Sequence, residues 1–216
     1  MTGLKIKVCG MRDPKNIDAV CSASPDYIGF IFYPKSKRYV GDNPDESIFS
    51  RVPATTIKVG VFVNEDAPKV IEICQKYKLQ VAQLHGHESV DYCREIKNAG
   101  LTVFKAFSVF DDFDFGQLNA YKEVVDFFLF DTKGKLPGGT GEKFNWGILD
   151  QYKLDTPFFL SGGIRPEDCE DLNNLIFEHL FAVDINSGFE SEPAVKETDK
   201  VSSFILQIRK KQKHTI

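Results

Sequence analysis

A chain of 216 residues, 42% of them hydrophobic and 19 of them phenylalanine, holds the material for one large core and reads as a single domain spanning 1–216. Its formal charge of -4 argues against general nucleic-acid affinity, which needs surplus Lys and Arg, but leaves room for a small anion bound by local charge and backbone dipoles. The five cysteines are odd in number, widely spread and form no CxxC pair, as expected of reduced thiols in a cytoplasm; no run of about 18 apolar residues suggests a membrane span, and MTGLKIKVCGMRDPK carries no signal-peptide core.

In chain order, short apolar, β-branched and aromatic runs recur with helical patterns between them: residues 4–9, 26–32, 56–63, 79–85, 101–107, 125–131, 156–162 and 179–185. Asp13-Pro14, Asp66-Ala67-Pro68 and Arg165-Pro166-Glu167 look like helix starts, a capping residue followed by Pro in the first turn. Gly100 follows a helical pattern as a C-cap, and Val201, Phe204, Ile205 and Ile208 give the last helix one apolar face. The terminal RKKQKH run reads as a solvated helix end. Alternation of strand and helix predicts a parallel α/β sheet, and eight repeats in this length fit a closed (β/α)8 TIM barrel, although a doubly wound open sheet gives the same alternation.

A barrel places its chemistry where strands end at the C-terminal face, so unusual residues are sought there. Cys9 ends the first strand, on the face it shares with Lys5 and Lys7. A neighbouring ammonium such as Lys7 favours the thiolate and suits Cys9 to act as base or nucleophile; the alternative is a small buried filler. Asp131 ends the sixth strand on the face of Phe127 and Leu129, where desolvation suits a carboxyl to act as general acid; the alternative is a loop-fixing Asp. Strands one and six lie apart around a ring of eight, so the two residues are expected to address a substrate from opposite sides. Gly162-Gly163 and Ser187-Gly188 follow strands seven and eight, the slots in which barrels bind phosphate. The segment Leu136–Gly141, with Gly139 at its centre, resembles a phosphate cradle but lacks the P-loop ending. Arg38, after strand two, has a planar fork suited to a carboxylate; the alternative is a solvated loop charge. Gln83 and His85 share one face of strand four and are candidates to hydrogen-bond a ligand or stabilise the mouth; Asp184, on strand eight, is a candidate to orient polar groups, the alternative being a buried hydrogen-bonded Asp. No Cys, His or carboxylate cluster accompanies His85 and His87, so no metal is expected.

Taken in order, KVCGMRDPKNI, DYIGFIFYPKSKRYV, KVGVFVN, QLHG, FDTKGKLPGGTGEKFNW, LSGGI and VDINSGFE resemble the motif set of the N-(5′-phosphoribosyl)anthranilate isomerases, from residue 5 to residue 190. The resemblance implies a phosphate-binding barrel that performs an Amadori rearrangement in tryptophan biosynthesis without a cofactor. It assigns Cys9 as base, Asp131 as acid, Arg38 to the anthranilate carboxylate, and Gly162, Gly163, Ser187 and Gly188 to the phosphate. Ser161 and Asn186 depart from the commonest family residues, Ala and Ser, while the acid and base positions are intact.

Overall fold

The computed structural model describes residues 3–132 and 146–212. Eight strands form where the apolar runs lie: β1 (Lys5–Cys9), β2 (Tyr27–Ile31), β3 (Ile57–Phe62), β4 (Val81–Leu84), β5 (Thr102–Val109), β6 (Phe127–Thr132), β7 (Phe158–Ser161) and β8 (Leu180–Ile185). Each pairs in parallel with the next, and β8 returns to β1, where Lys7 stands opposite Tyr27 on one side and Asp184 on the other. The sheet is therefore a closed barrel and not the open alternative.

Its interior is filled from below by aromatic rings. Tyr27 and Phe159 meet edge-on at 5.3 Å, and Phe104 packs against Phe159 at 4.6 Å, with Phe127 and Phe181 beside them. Such pairs add about 0.5–1.5 kcal/mol each beyond their buried area. A second apolar layer lies between the strands and the helices outside them, where Ile6, Val8, Phe30, Phe62, Phe128 and Phe130 are fully buried. Above the rings the interior turns polar, with Lys7, Gln83, Asp131 and Asp184 all buried.

The lower rim is closed by one repeated device. Asp26, Gln80 and Asp126 each precede an even-numbered strand, and each donates its N–H to the carbonyl of Ile6, Lys58 or Val103 on the strand before. Its side-chain oxygen accepts that same residue's N–H in return, at 3.0, 2.9 and 2.8 Å respectively. The clamps satisfy backbone donors that the ladder leaves over.

Six α-helices are described: α1 (Pro14–Ser22), α2 (Ser47–Ser50), α3 (Ala67–Lys76), α4 (Val90–Asn98), α5 (Cys169–Asn174) and α6 (Thr198–Gln212). Asp13 caps α1, its side chain accepting from Asn16 N–H at 2.7 Å. Asp66 occupies the cap position of α3 without a side-chain cap bond, and Gly100 takes up φ +86° after α4. The helical repeat is incomplete, however. The turns after β5 and before β7 are 3-10 helices (Phe115–Ala120 and Trp146–Gln151), and Pro166–Asp168 is a 3-10 turn leading into α5. After β5 the reason is packing: Phe113, Phe115 and Tyr121 are spaced to reach Phe107 and Phe130 across a short connection, and Gly116 interrupts a longer helix. After β8 the chain adds a two-stranded hairpin, β9 (Glu190–Glu192) and β10 (Val195–Lys196), which turns through Ala194 at φ +71°. Nothing in ESEPAVK alternates in hydrophobicity, so this element carries no periodic signal.

Candidate active site

Cys9 ends β1 buried inside the barrel mouth, opposite Gly29 of β2. The missing side chain of Gly29 makes the room: a Cβ there would lie 2.8 Å from Cys9 Sγ and 3.2 Å from Lys7 Nζ. Lys7 is fully buried and its ammonium donates to Asp184 Oδ2 at 2.8 Å, while Asp184 Oδ1 is buried with no hydrogen-bond partner among the described residues. Burial lowers the pKa of Lys7, but Asp184 and Cys9 outweigh burial and hold it charged.

One buried ammonium thus faces two buried acids. The carboxyl group is the stronger acid and takes the charge, so the thiol is left with only part of Lys7's attraction. Burial pushes the Cys9 thiol above its ordinary range, opposed by Lys7, and the Asp184 carboxylate pushes it further. Lys7 pulls in the direction expected from the sequence, yet it does not win. Burial and Asp184 together hold the Cys9 pKa above its ordinary value, which favours the thiol.

Asp131 is the next-to-last residue of β6, three strands away around the ring through β7 and β8, and is also buried. Phe127 and Leu129, on its face of β6, belong to the barrel's inner apolar cluster. His85 Nε2 lies 3.5 Å from Asp131 Oδ2. Gln83 Nε2 sits 3.1 Å from His85 Nδ1. Gln83, His85 and Asp131 therefore form one chain across β4 and β6. Asp184 feels Lys7, His85 and Asp131 alike, so the polar residues expected from strands one, four, six and eight meet in one mouth.

Above β7 and β8 the glycine turns are tightly built. Gly162 has φ +98°, and a Cβ on it would lie 2.1 Å from Thr132 O, the residue after Asp131. Thr132 Oγ1 also donates to Ser161 O at 2.8 Å, so the Gly162 turn and the Asp131 strand end are fastened together. Gly163 has φ +67°, and a Cβ on it would meet nothing within 4 Å among the described residues, whereas Gly188 packs so closely that a Cβ would meet Ile164 O at 2.3 Å. Ser187 begins a single 3-10 turn between them and the hairpin. Gly139 and its loop lie outside the described residues. Among the described residues no group of three or more His, Cys, Asp or Glu could hold a metal ion, and His87 is exposed.

Arg38 is neither a solvated loop charge nor a free fork. Its Nε donates to Glu190 Oε1 at 2.8 Å, Nη2 also binds Glu190, and its stem crosses Gly10, where a Cβ would lie 2.7 Å from Arg38 Cδ. Lys196, fully buried in its side chain, binds the same Glu190 and donates to Asn186 Oδ1 at 3.0 Å. Asn186, one of the two departures from the commonest family pattern, thus has a definite acceptor's place. Glu190 and Lys196 were invisible as site residues in the sequence, where they are two isolated charges beside a turn.

Residues 6–207 match the family model described as N-(5′-phosphoribosyl)anthranilate (PRA) isomerase. The chain is 45% identical over 204 residues to the N-(5′-phosphoribosyl)anthranilate isomerase of Parabacteroides distasonis, covering 94% of this chain and 92% of that one. It is 44% identical to the enzyme of that name from Phocaeicola vulgatus, over 95% of this chain and 98% of the other. Among solved structures, phosphoribosyl anthranilate isomerase from Thermotoga maritima superimposes with a TM-score of 0.84 at 32% identity, over 96% of this chain and 99% of that one. A phosphoribosyl anthranilate isomerase in complex with reduced 1-(o-carboxyphenylamino)-1-deoxyribulose 5-phosphate gives 0.81 at 30% identity, with the same coverage. With a closed eightfold barrel, polar strand ends and near-complete sequence matches, this chain belongs to the N-(5′-phosphoribosyl)anthranilate isomerase family.

Proposed function

We propose that Cys9 is the base and Asp131 the acid in the isomerisation of N-(5-phosphoribosyl)anthranilate to 1-(2-carboxyphenylamino)-1-deoxyribulose 5-phosphate. The protein is an isomerase of tryptophan biosynthesis. The observation that carries the residue assignment is the placement of a buried thiol and a buried carboxyl across one barrel mouth, with the Gly162 turn fastened to the acid's own strand end.

In this reading the Asp131 carboxyl gives its proton to the furanose ring oxygen as the C1–O bond breaks. The anthranilate nitrogen supplies its lone pair and becomes an iminium. Cys9 thiolate then takes the proton from C2; the C2–H electron pair becomes the C1–C2 double bond, and the C=N pair returns to nitrogen. The enolamine relaxes to the ketone as C1 gains a proton and the C2 hydroxyl loses one. The iminium is the electron sink, so no step calls for a cofactor. It also brings a second positive charge to the site that holds one ammonium for two acids, which favours the thiolate at the moment it is needed.

Gly162, Gly163, Ser187 and Gly188 are assigned to the phosphate, and Arg38 to the anthranilate carboxylate. Lys7 and Asp184 set the charge around Cys9, while Gln83 and His85 orient Asp131. The small phosphoribosyl compound is the proposed partner, with no nucleic acid or membrane involved; among the described residues no helix is long and apolar enough to cross a membrane. All five cysteines are free and buried, which fits the cytoplasm as location and residues 1–216 as one domain. The test is loss of substrate fluorescence on turnover. Cys9→Ser and Asp131→Asn are each expected to lower kcat by about 10²-fold or more. Two unimpaired variants would refute the pair.

A further inference from the structure

Glu190 is a buried carboxylate that the proposed mechanism leaves without a task. It accepts from Arg38 Nε at 2.8 and 3.0 Å, from Arg38 Nη2, from Ala194 N–H at 3.1 Å, and from Lys196 Nζ. Burying an ion is costly, and the chain builds an element outside the barrel repeat, the β9–β10 hairpin, to do it. That hairpin is anchored twice. Lys196 N–H donates to Asn16 Oδ1 and Asn16 Nδ2 donates to Lys196 O, both at 2.8 Å, and Glu197 N–H donates to Phe189 O at 2.8 Å.

A guanidinium has two edges that can each grip a carboxylate. Glu190 occupies the edge made by Nε and Nη2, which among the described residues leaves the edge made by Nη1 and the second Nη2 hydrogen. The stem of Arg38 is pressed across Gly10, next to Cys9, so the side chain is fixed along its length and at one side of its head. Charge decides whether such a grip helps or blocks. Arg38 and Lys196 carry two positive charges against the one negative charge of Glu190, so the cluster keeps a net positive charge for an incoming anion. Lys196 also reaches Asn186, which opens the Ser187-Gly188 turn, so the same cluster ties the carboxylate end of the mouth to the phosphate end.

We propose that Glu190 is the positioning residue for Arg38: it holds the guanidinium by one edge so that the other edge meets the substrate carboxylate, with Lys196 offsetting its charge. This rests on the assignment of Arg38 to the carboxylate made above. The opposite arrangement, in which Glu190 competes with the substrate for Arg38, predicts the opposite sign.

Steady-state kinetics with two substrates separates them, N-(5-phosphoribosyl)anthranilate and N-(5-phosphoribosyl)aniline, which lacks the carboxylate. The quantity read is the ratio of their kcat/KM values. Glu190→Gln is expected to lower that ratio about tenfold, through KM for the carboxylated substrate, about the worth of one charge-assisted contact. Glu190→Asp, which keeps the charge, should recover part of it, and Arg38→Met should lower the ratio at least as far with no further loss in the double variant. If Lys196 without its anion prevents folding, Glu190→Gln/Lys196→Gln removes both charges and carries the same test. A raised ratio overturns the proposal in favour of competition, and equal losses on both substrates overturn it in favour of a structural role. If Arg38→Met itself leaves the ratio unchanged, the assignment of Arg38 falls and the proposal falls with it.

Discussion

Replacing Lys7 with Met tests the division of one buried ammonium between two acids. Lys7 is fully buried and its Nζ lies 2.8 Å from Asp184 Oδ2, while Asp184 Oδ1 has no hydrogen-bond partner among the described residues. Removing one member of a buried pair costs about 3–5 kcal/mol, because the other is left charged in a poor solvent. Asp184 escapes most of that cost by keeping its proton, with a defined pH signature. The folded variant then holds a proton that the unfolded chain releases above about pH 4; burial already raises the Asp184 pKa in the parent, so the deficit relative to the parent grows by about 1.4 kcal/mol per pH unit from the parent's own Asp184 pKa until Asp184 ionises in the variant. Stability should therefore be closest to the parent near pH 4 and furthest from it at neutral pH and above. Cys9 loses the attraction of Lys7 and, once Asp184 is neutral, its repulsion too; the attraction is the larger, so the thiol pKa rises further. Denaturant unfolding across pH measures the first effect. The second is read from ultraviolet thiolate absorbance, as the difference between Lys7→Met and Lys7→Met/Cys9→Ser. Lys7→Met/Asp184→Leu, which removes both charges, should regain most of the lost stability. A deficit below about 1 kcal/mol that ignores pH, together with unchanged Cys9 ionisation, would refute the reasoning.

Because burial holds the Cys9 pKa above its ordinary value, the base form appears only at high pH; in Asp131→Asn, where the acid no longer titrates, the residual kcat/KM should climb about tenfold per pH unit through neutrality and still be rising at about pH 8.5, and a plateau already reached by neutral pH in that variant would contradict the thiolate mechanism. Gly162→Ala drives a Cβ to within 2.1 Å of Thr132 O at a positive φ, whereas Gly163→Ala meets only the φ strain of about 1–2 kcal/mol; Gly162→Ala should therefore lose more stability and more activity, and equal thermal shifts would argue against the packed turn. Asp26→Ala removes the clamp on Ile6 N–H and the partner of Lys5 and Arg209, at a cost of about 1–3 kcal/mol in unfolding experiments. It lies at the barrel end away from the site, so kcat should stay within about twofold of the parent, and a large fall would show that the lower rim shapes the mouth.

Some of this molecule was readable one segment at a time. All eight strands stand within two residues of the apolar runs, because alternation and β-branched content act on a scale of five or six residues. The Asp13 cap and the Gly100 turn were likewise local, each depending on one side chain and its own backbone. The short connections were harder. The segment after β5 forms a 3-10 turn because its aromatic rings find partners on β5 and β6, and no window within it announces that outcome.

The strand ends and their order around the mouth were written in the sequence, and with them the positions of Cys9 and Asp131. What each group carries was decided by tertiary structure alone. Lys7 meets Asp184 across 177 residues and Arg38 meets Glu190 across 152, so both partnerships exist only once β8 has closed on β1 and the hairpin has folded back. Strand formation follows short-range pattern, while the state of a buried charge depends on every charge and dipole that the closed barrel brings within a few ångströms of it. That is why the sequence located the thiol, and why only the folded barrel set its pKa above the ordinary value, with its neighbouring ammonium already engaged by Asp184.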